Sequence, residues 1–76
     1  MNELSKKVID ITNDYLGPAS ERFVNRQVTR HLSIGMDELT EKNIEELAKW
    51  IEVSASLLID KNRAAELAEK IKKLKD

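Results

Sequence analysis

The sequence contains no cysteine and only one histidine. This composition excludes several kinds of catalytic and metal-binding site. Without cysteine the chain has no disulfide, no thiolate nucleophile and no soft metal ligand. One histidine cannot complete a zinc site, which takes several nitrogen or sulfur ligands. We therefore expect no metal and no cofactor. A chain without thiols also fits a reducing compartment such as the cytoplasm.

Signatures of catalysis are missing as well. Two glycines are too few for a glycine-rich loop that cradles a phosphate, and no serine has the context of a hydrolase nucleophile. The single histidine, His31, has no evident partner to orient it as a general base. We expect His31 at the edge of the core, with a pH-sensitive contact as the alternative role. The sequence thus predicts neither an enzyme nor a site for a small-molecule substrate.

Long apolar runs and an excess of one charge are also absent. No stretch approaches the ~18 apolar residues of a membrane-spanning helix, and the opening MNELSKKVID has no apolar signal segment. With 13 basic and 14 acidic residues, the formal net charge is −1. This balance is typical of an ordinary soluble surface and not of a polyanion-binding tail. We expect a cytoplasmic protein that does not contact a membrane.

Apolar residues recur at helical spacing from the start of the chain. The first face has spacings of four, three and four residues and consists of Leu4, Val8, Ile11 and Tyr15. This pattern predicts an amphipathic helix over residues 3–16. Gly17 should end that helix, and Pro18 suits the first turn of a second helix over 18–32.

Polar caps mark two further helices. Gly35 is the expected turn residue after the second helix, Thr40 is the expected N-cap of a helix over 41–59, and Asp60 that of a helix over 61–75. The main apolar stripe of the third helix consists of Ile44, Leu47, Ala48, Ile51, Ala55, Leu58 and Ile59.

No segment shows the alternation typical of a strand. The sequence predicts an all-α fold, a compact bundle of four helices joined by short loops. Its 76 residues should form a single helical domain, 1–76.

The third predicted helix, α3, predicted over 41–59, carries a second apolar stripe, roughly 120° from the first. It consists of Trp50, Val53 and Leu57, and we call it the α3 stripe. A neighbouring helix could cover it within one subunit. The alternative is an interface with a protein partner or a second copy, since aromatic anchors dominate interface energetics. Ile9 and Leu16, off the main face of the first helix, would extend that interface. We expect a protein-interaction module that forms a homodimer.

The second predicted helix carries an arginine face, which consists of Arg22, Asn25, Arg26 and Arg30. Arginine and asparagine read guanine and adenine edges, and a helix after a tight turn is the arrangement of a helix-turn-helix. The balanced net charge and the adjoining Glu21 argue against this interpretation. A solvated face or a protein contact is favoured, with a small DNA-binding regulator as the alternative.

The segment YLGPASERFVNRQ contains a distinctive corner made of Leu16, Gly17, Pro18 and Ala19. With the later IEELAKWI, it resembles small LGP-motif helical accessory domains of prokaryotic signalling proteins. The resemblance implies a non-catalytic domain used for protein contacts. It implies no catalytic residue.

Overall fold

The computed structural model describes residues 1–75, and this part of the chain is helical with no β-strand. The all-α prediction is therefore confirmed. The radius of gyration is 10.8 Å, close to the ~11 Å expected of a compact chain of this length. Three long helices and one short helix make up the fold: α1 (Glu3–Leu16), the short α2 (Ser20–Gln27), α3 (Glu41–Ala55) and α4 (Lys61–Lys72).

The prediction of four full helices is wrong, because the second one is broken at both ends. A 3-10 turn at Gly17–Ala19 precedes α2, and a π-helical turn at Val28–Leu32 follows it. Pro18 has no N–H to continue a regular ladder from α1. Only eight residues of the expected 18–32 helix keep α geometry, so the described chain has three long helices.

Both ends of α1 follow the local signals in the sequence. The side chain of Asn2 accepts a hydrogen bond from the Ser5 amide at 2.9 Å and caps the first turn. At the other end Gly17 has a φ of 67°, and its N–H donates to the Asn13 carbonyl. A positive φ suits glycine, which has no Cβ. The predicted bounds of this helix are confirmed.

The turn between α2 and α3 differs from the prediction. Ser33, and not Gly35, occupies the left-handed region, with φ 58° and ψ 36°. Gly35 is extended, with φ −86°, and its amide donates to the Glu38 side chain at 2.7 Å. That hydrogen bond anchors a 3-10 turn at Met36–Glu38, so Gly35 serves as the start of a turn and not as its left-handed residue.

Helix α3 ends at Ala55, four residues before the predicted end. The Ser56 hydroxyl donates to the Val53 carbonyl at 2.7 Å, and the Leu58 amide donates to the Ala55 carbonyl at 2.8 Å. Serine side chains compete in this way with the helical ladder. The next helix starts as predicted, since Asp60 accepts a hydrogen bond from the Arg63 amide at 2.8 Å.

The core lies among the four helices, with α3 packed against α4 and α2. Its fully buried large apolar side chains are Val8, Val24, Val28, Ile44, Leu47, Ile51, Leu67 and Ile71. Helix α1 packs against both α2 and α4, and its buried face is therefore wide. Ile9 belongs to that face at 8% exposure. The expectation that Ile9 extends a surface patch is wrong for this reason.

Candidate functional site

Large apolar side chains reach solvent around the connection between α3 and α4. Val53 is 55% exposed, Leu57 83% and Leu58 66%. Val53 and Leu57 belong to the α3 stripe defined from the sequence. Leu58 was assigned to the main core stripe, and it leaves the core because the helix stops at Ala55. Exposed apolar side chains grouped in this way mark a surface that a binding partner can cover.

Trp50, the remaining member of the α3 stripe, is covered by its own chain. The His31 ring lies parallel to the indole, with 3.9 Å between ring centroids and 5° between planes. His31 is exposed and Trp50 is half-buried. His31 belongs to the π-helical turn, and the local widening of the helix there places the imidazole ring over the indole of Trp50. His31 therefore packs against Trp50 at the surface of the protein, outside the apolar core.

A groove opens where the α1–α2 corner faces the α3–α4 connection. We call it the corner groove, and it has a volume of about 370 Å³. Its lining consists of Tyr15, Leu16, Ala19, Arg22, Phe23, Arg26, Leu58 and Ile59. Leu16, which the sequence suggested as an interface residue, is half-buried in this wall. The groove joins that residue to Leu58, a neighbour that the sequence did not indicate.

Two arginines belong both to the corner groove and to the arginine face. Arg22 and Arg26 line the groove, whereas Arg30 lies further along the same face with Asn25. All four members of the face are exposed and adjoin one another. Within residues 1–75, none of the three arginines forms an ion pair with a carboxylate. Their positive charge is therefore left for solvent or for a ligand.

Tyr15 fixes the far wall of the corner groove. Its hydroxyl donates to Glu66 Oε2 at 2.6 Å, and Lys70 Nζ lies 3.7 Å from the same oxygen. The Arg63 guanidinium lies 5.5 Å from the ring centroid of Tyr15, and the Lys70 ammonium 5.0 Å. The hydrogen bond from Tyr15, supported by the charges of Lys70 and Arg63, lowers the pKa of Glu66. The Glu66 carboxylate beside this wall is thus already engaged.

Sequence reasoning found part of this surface and missed part. It indicated Leu16, Val53 and Leu57, but it missed Leu58, which was assigned to the main apolar stripe of the third helix. The signal for Leu58 lies in the serines around the end of α3 and in the cap at Asp60, which together shorten the helix. Phe23 is half-buried against the core and also lines the groove.

Residues 1–75 contain no group of three or more histidines and carboxylates placed to hold a metal ion. None of the helices in this range has the length and apolar character needed to cross a bilayer.

Comparison of the chain with protein-family models, with curated proteins and with solved structures finds no match. What the surface binds is therefore inferred from its own chemistry.

Proposed function

We propose that this chain is a non-catalytic protein-interaction domain, and that its binding surface comprises the corner groove and the exposed residues Val53 and Leu57. The observation that carries the proposal is the exposure of Leu57 and Leu58, at 83% and 66%. Helix α3 releases Leu58 from the core by ending early, and Leu57 lies on the α3 stripe, although leucine side chains are usually buried. A domain this small gains stability when such surface is covered.

Self-association is the form of contact that the α3 stripe supports. Residues of both signs, Lys49, Glu52 and Lys61, surround Val53, and a mixed rim lets two identical surfaces pair opposite charges. Full burial of the exposed parts of Val53 and Leu57 is worth about 2–4 kcal/mol per copy. Association costs ~4–15 kcal/mol. We therefore expect a weak homodimer that forms only at high concentration.

A concentration series tests this function. Sedimentation velocity should show a mass that rises with concentration, and amide resonances of Val53 and Leu57 should move with it. The variant Leu57→Ser should remain a monomer. Lys42→Ser, an exposed change at the other end of α3, is the matched control and should associate like the original chain. A strict monomer rejects self-association. If its groove residues also fail to respond to any helical peptide, the proposed function is rejected with it.

Nucleic-acid binding is the second candidate, and the exposed arginine face favours it. Arg22, Asn25, Arg26 and Arg30 adjoin one another on an exposed surface, as phosphate and base contacts require. Binding of duplex DNA should be seen by fluorescence anisotropy at ~50 mM salt and should weaken steeply as salt rises. In that case Arg30→Glu should weaken binding as much as Arg26→Glu. No anisotropy change at low salt removes this candidate.

We further propose that the domain is an accessory domain in signalling and that it is cytoplasmic. Both proposals are supported by the resemblance at the LGP corner and by the absence of cysteine. Localisation of a tagged chain by fluorescence microscopy would test the compartment directly.

A further inference from the structure

We propose that the corner groove binds an amphipathic helix of another protein, one whose apolar face is flanked by aspartate or glutamate. This inference rests on the proposed function and names the partner of the same surface. Three arguments support it: the shape of the groove, the charge of its rim, and the poorer fit of a second copy or of nucleic acid.

The floor of the groove is suited to apolar side chains. Leu16, Phe23, Leu58 and Ile59 line it, and Leu58 alone leaves two thirds of its surface in solvent. The volume of about 370 Å³ is at the small end of the range for binding pockets. An open groove of this size accommodates a few side chains from one face of a helix, which is the helix-in-groove mode of recognition.

The rim of the groove is positive. Arg22 and Arg26 line it, and the lining contains no carboxylate. An arginine can lay its aliphatic stem along an apolar surface while its guanidinium stays at the edge, where it can bind a carboxylate through two hydrogen bonds. Within residues 1–75 neither arginine has an acidic partner. A ligand that brings carboxylates beside its apolar face supplies the missing charge.

A second copy of this chain does not fit the groove equally well. In a two-fold dimer the same patch occurs on both sides of the interface, so groove against groove would bring Arg22 and Arg26 near their own copies. The exposed face of α3 in a second copy does not supply a uniformly acidic surface. On α3, for example, Glu45 and Glu46 are interleaved with Lys42 and Lys49. The self-association proposed above uses Val53 and Leu57, away from the arginines.

Nucleic acid is also a poorer occupant of the groove. Phosphates would pair with the arginines, but they would gain nothing from Phe23 and Leu58. Phosphate binding would also draw equally on Arg30, which lies on the arginine face but outside the groove. Arg30 therefore separates the two occupants experimentally.

The test uses two designed helical peptides with leucines at positions i, i+3, i+4 and i+7. One peptide carries glutamates beside the leucines and the other carries lysines at the same positions. Binding is measured by fluorescence anisotropy, and the contact site by amide chemical shifts. The acidic peptide should bind about tenfold more tightly at low salt, because two rim charges attract it and repel its counterpart. Its shifts should centre on Phe23 and Leu58.

Charge reversal locates the contact. Arg22→Glu and Arg26→Glu together should weaken the acidic peptide about tenfold and strengthen the lysine peptide. Arg30→Glu is the matched control, since it changes charge on the same face without lining the groove, and it should change either affinity less than the two groove substitutions do. Circular dichroism confirms that the exposed substitutions leave the fold intact.

The outcomes separate this inference from the proposed function. Equal affinity for both peptides, with shifts at Phe23 and Leu58, overturns the acidic preference and leaves an interaction domain. Loss of binding by Arg30→Glu equal to that by Arg26→Glu overturns the groove as the contact. If neither peptide binds while the concentration series shows a dimer, the groove inference fails and self-association stands. If neither peptide binds and the chain is a strict monomer, both are overturned.

Discussion

Ser33 holds a backbone conformation that its side chain disfavours, and replacing it with glycine should stabilise the fold. With φ 58° and ψ 36°, Ser33 is the non-glycine residue of positive φ in the described chain. The left-handed region costs an L-residue about 1–2 kcal/mol. Glycine avoids that cost, but it loses about 0.4–1 kcal/mol through the greater freedom of the unfolded chain. The variant Ser33→Gly should gain about 1 kcal/mol of unfolding free energy.

That gain is large enough to measure in a domain of this size. It should raise the Tm by about 4–8 °C, as followed by circular dichroism at 222 nm, and shift the urea midpoint without changing the slope. Ser33→Ala keeps the positive φ and should change the unfolding free energy by less than about 0.5 kcal/mol. A Tm for Ser33→Gly at or below that of Ser33→Ala would refute the reasoning.

Gly35 supplies the reverse control in the same turn. Its φ of −86° suits any residue, and an added Cβ would lie 3.5 Å from Glu38 Oε1, an ordinary contact. Gly35→Ala should therefore stabilise the fold by about 0.4–1 kcal/mol, because it restricts the unfolded chain. A loss of stability in this variant would show that the positive φ belongs to Gly35 after all.

Two further predictions concern aromatic contacts at the surface. His31→Ala should shift Trp50 emission to longer wavelength and lower the unfolding free energy by about 0.5–1.5 kcal/mol. The control His31→Phe should keep the ring stacked on Trp50. An unchanged emission spectrum in His31→Ala argues against the stacking of His31 on Trp50. Tyr15→Phe should raise the pKa of Glu66 toward its ordinary value of 4.5, since the Tyr15 hydroxyl is the main cause of its lowering. The lowered pKa of Glu66 stabilises the folded state at pH values above the pKa of Glu66 in the unfolded chain. That stabilisation is lost as the pH falls through the pKa of Glu66 in the folded chain. Tyr15→Phe should therefore lose less stability in acid than the original chain does. An NMR titration in which Glu66 is unaffected contradicts the assignment.

Local signals predicted the helices wherever they were strong at both ends. The bounds of α1 follow from its apolar spacing and Gly17, and the start of α4 follows from the Asp60 cap. The end of α3 was missed because Leu58 continues the apolar period of the helix. Ser56 nevertheless turns its hydroxyl onto the Val53 carbonyl, and this local competition outweighs periodicity at the last turn.

The candidate site was harder to predict, because it depends on which segments meet. The pattern of α3 shows that Trp50 lies off the main stripe, but it cannot show that His31 covers the indole. The same limit applies to Ile9, which looks peripheral on a helical wheel and is buried because α1 has two neighbours. The corner groove combines Leu16, Phe23 and Leu58 from three elements. No single stretch of sequence contains that combination.

The π-helical turn at Val28–Leu32 has a consequence for the register of this part of the chain. A hydrogen bond from residue i to i+5 encloses one residue more than an α-helical turn does, and each residue of an α-helix rotates the chain by about 100°. Deleting one residue here would close the turn to an ordinary pitch and swing the imidazole away from the indole. The bulge thus works as an angular spacer, and the aromatic pair depends on its length as much as on its chemistry.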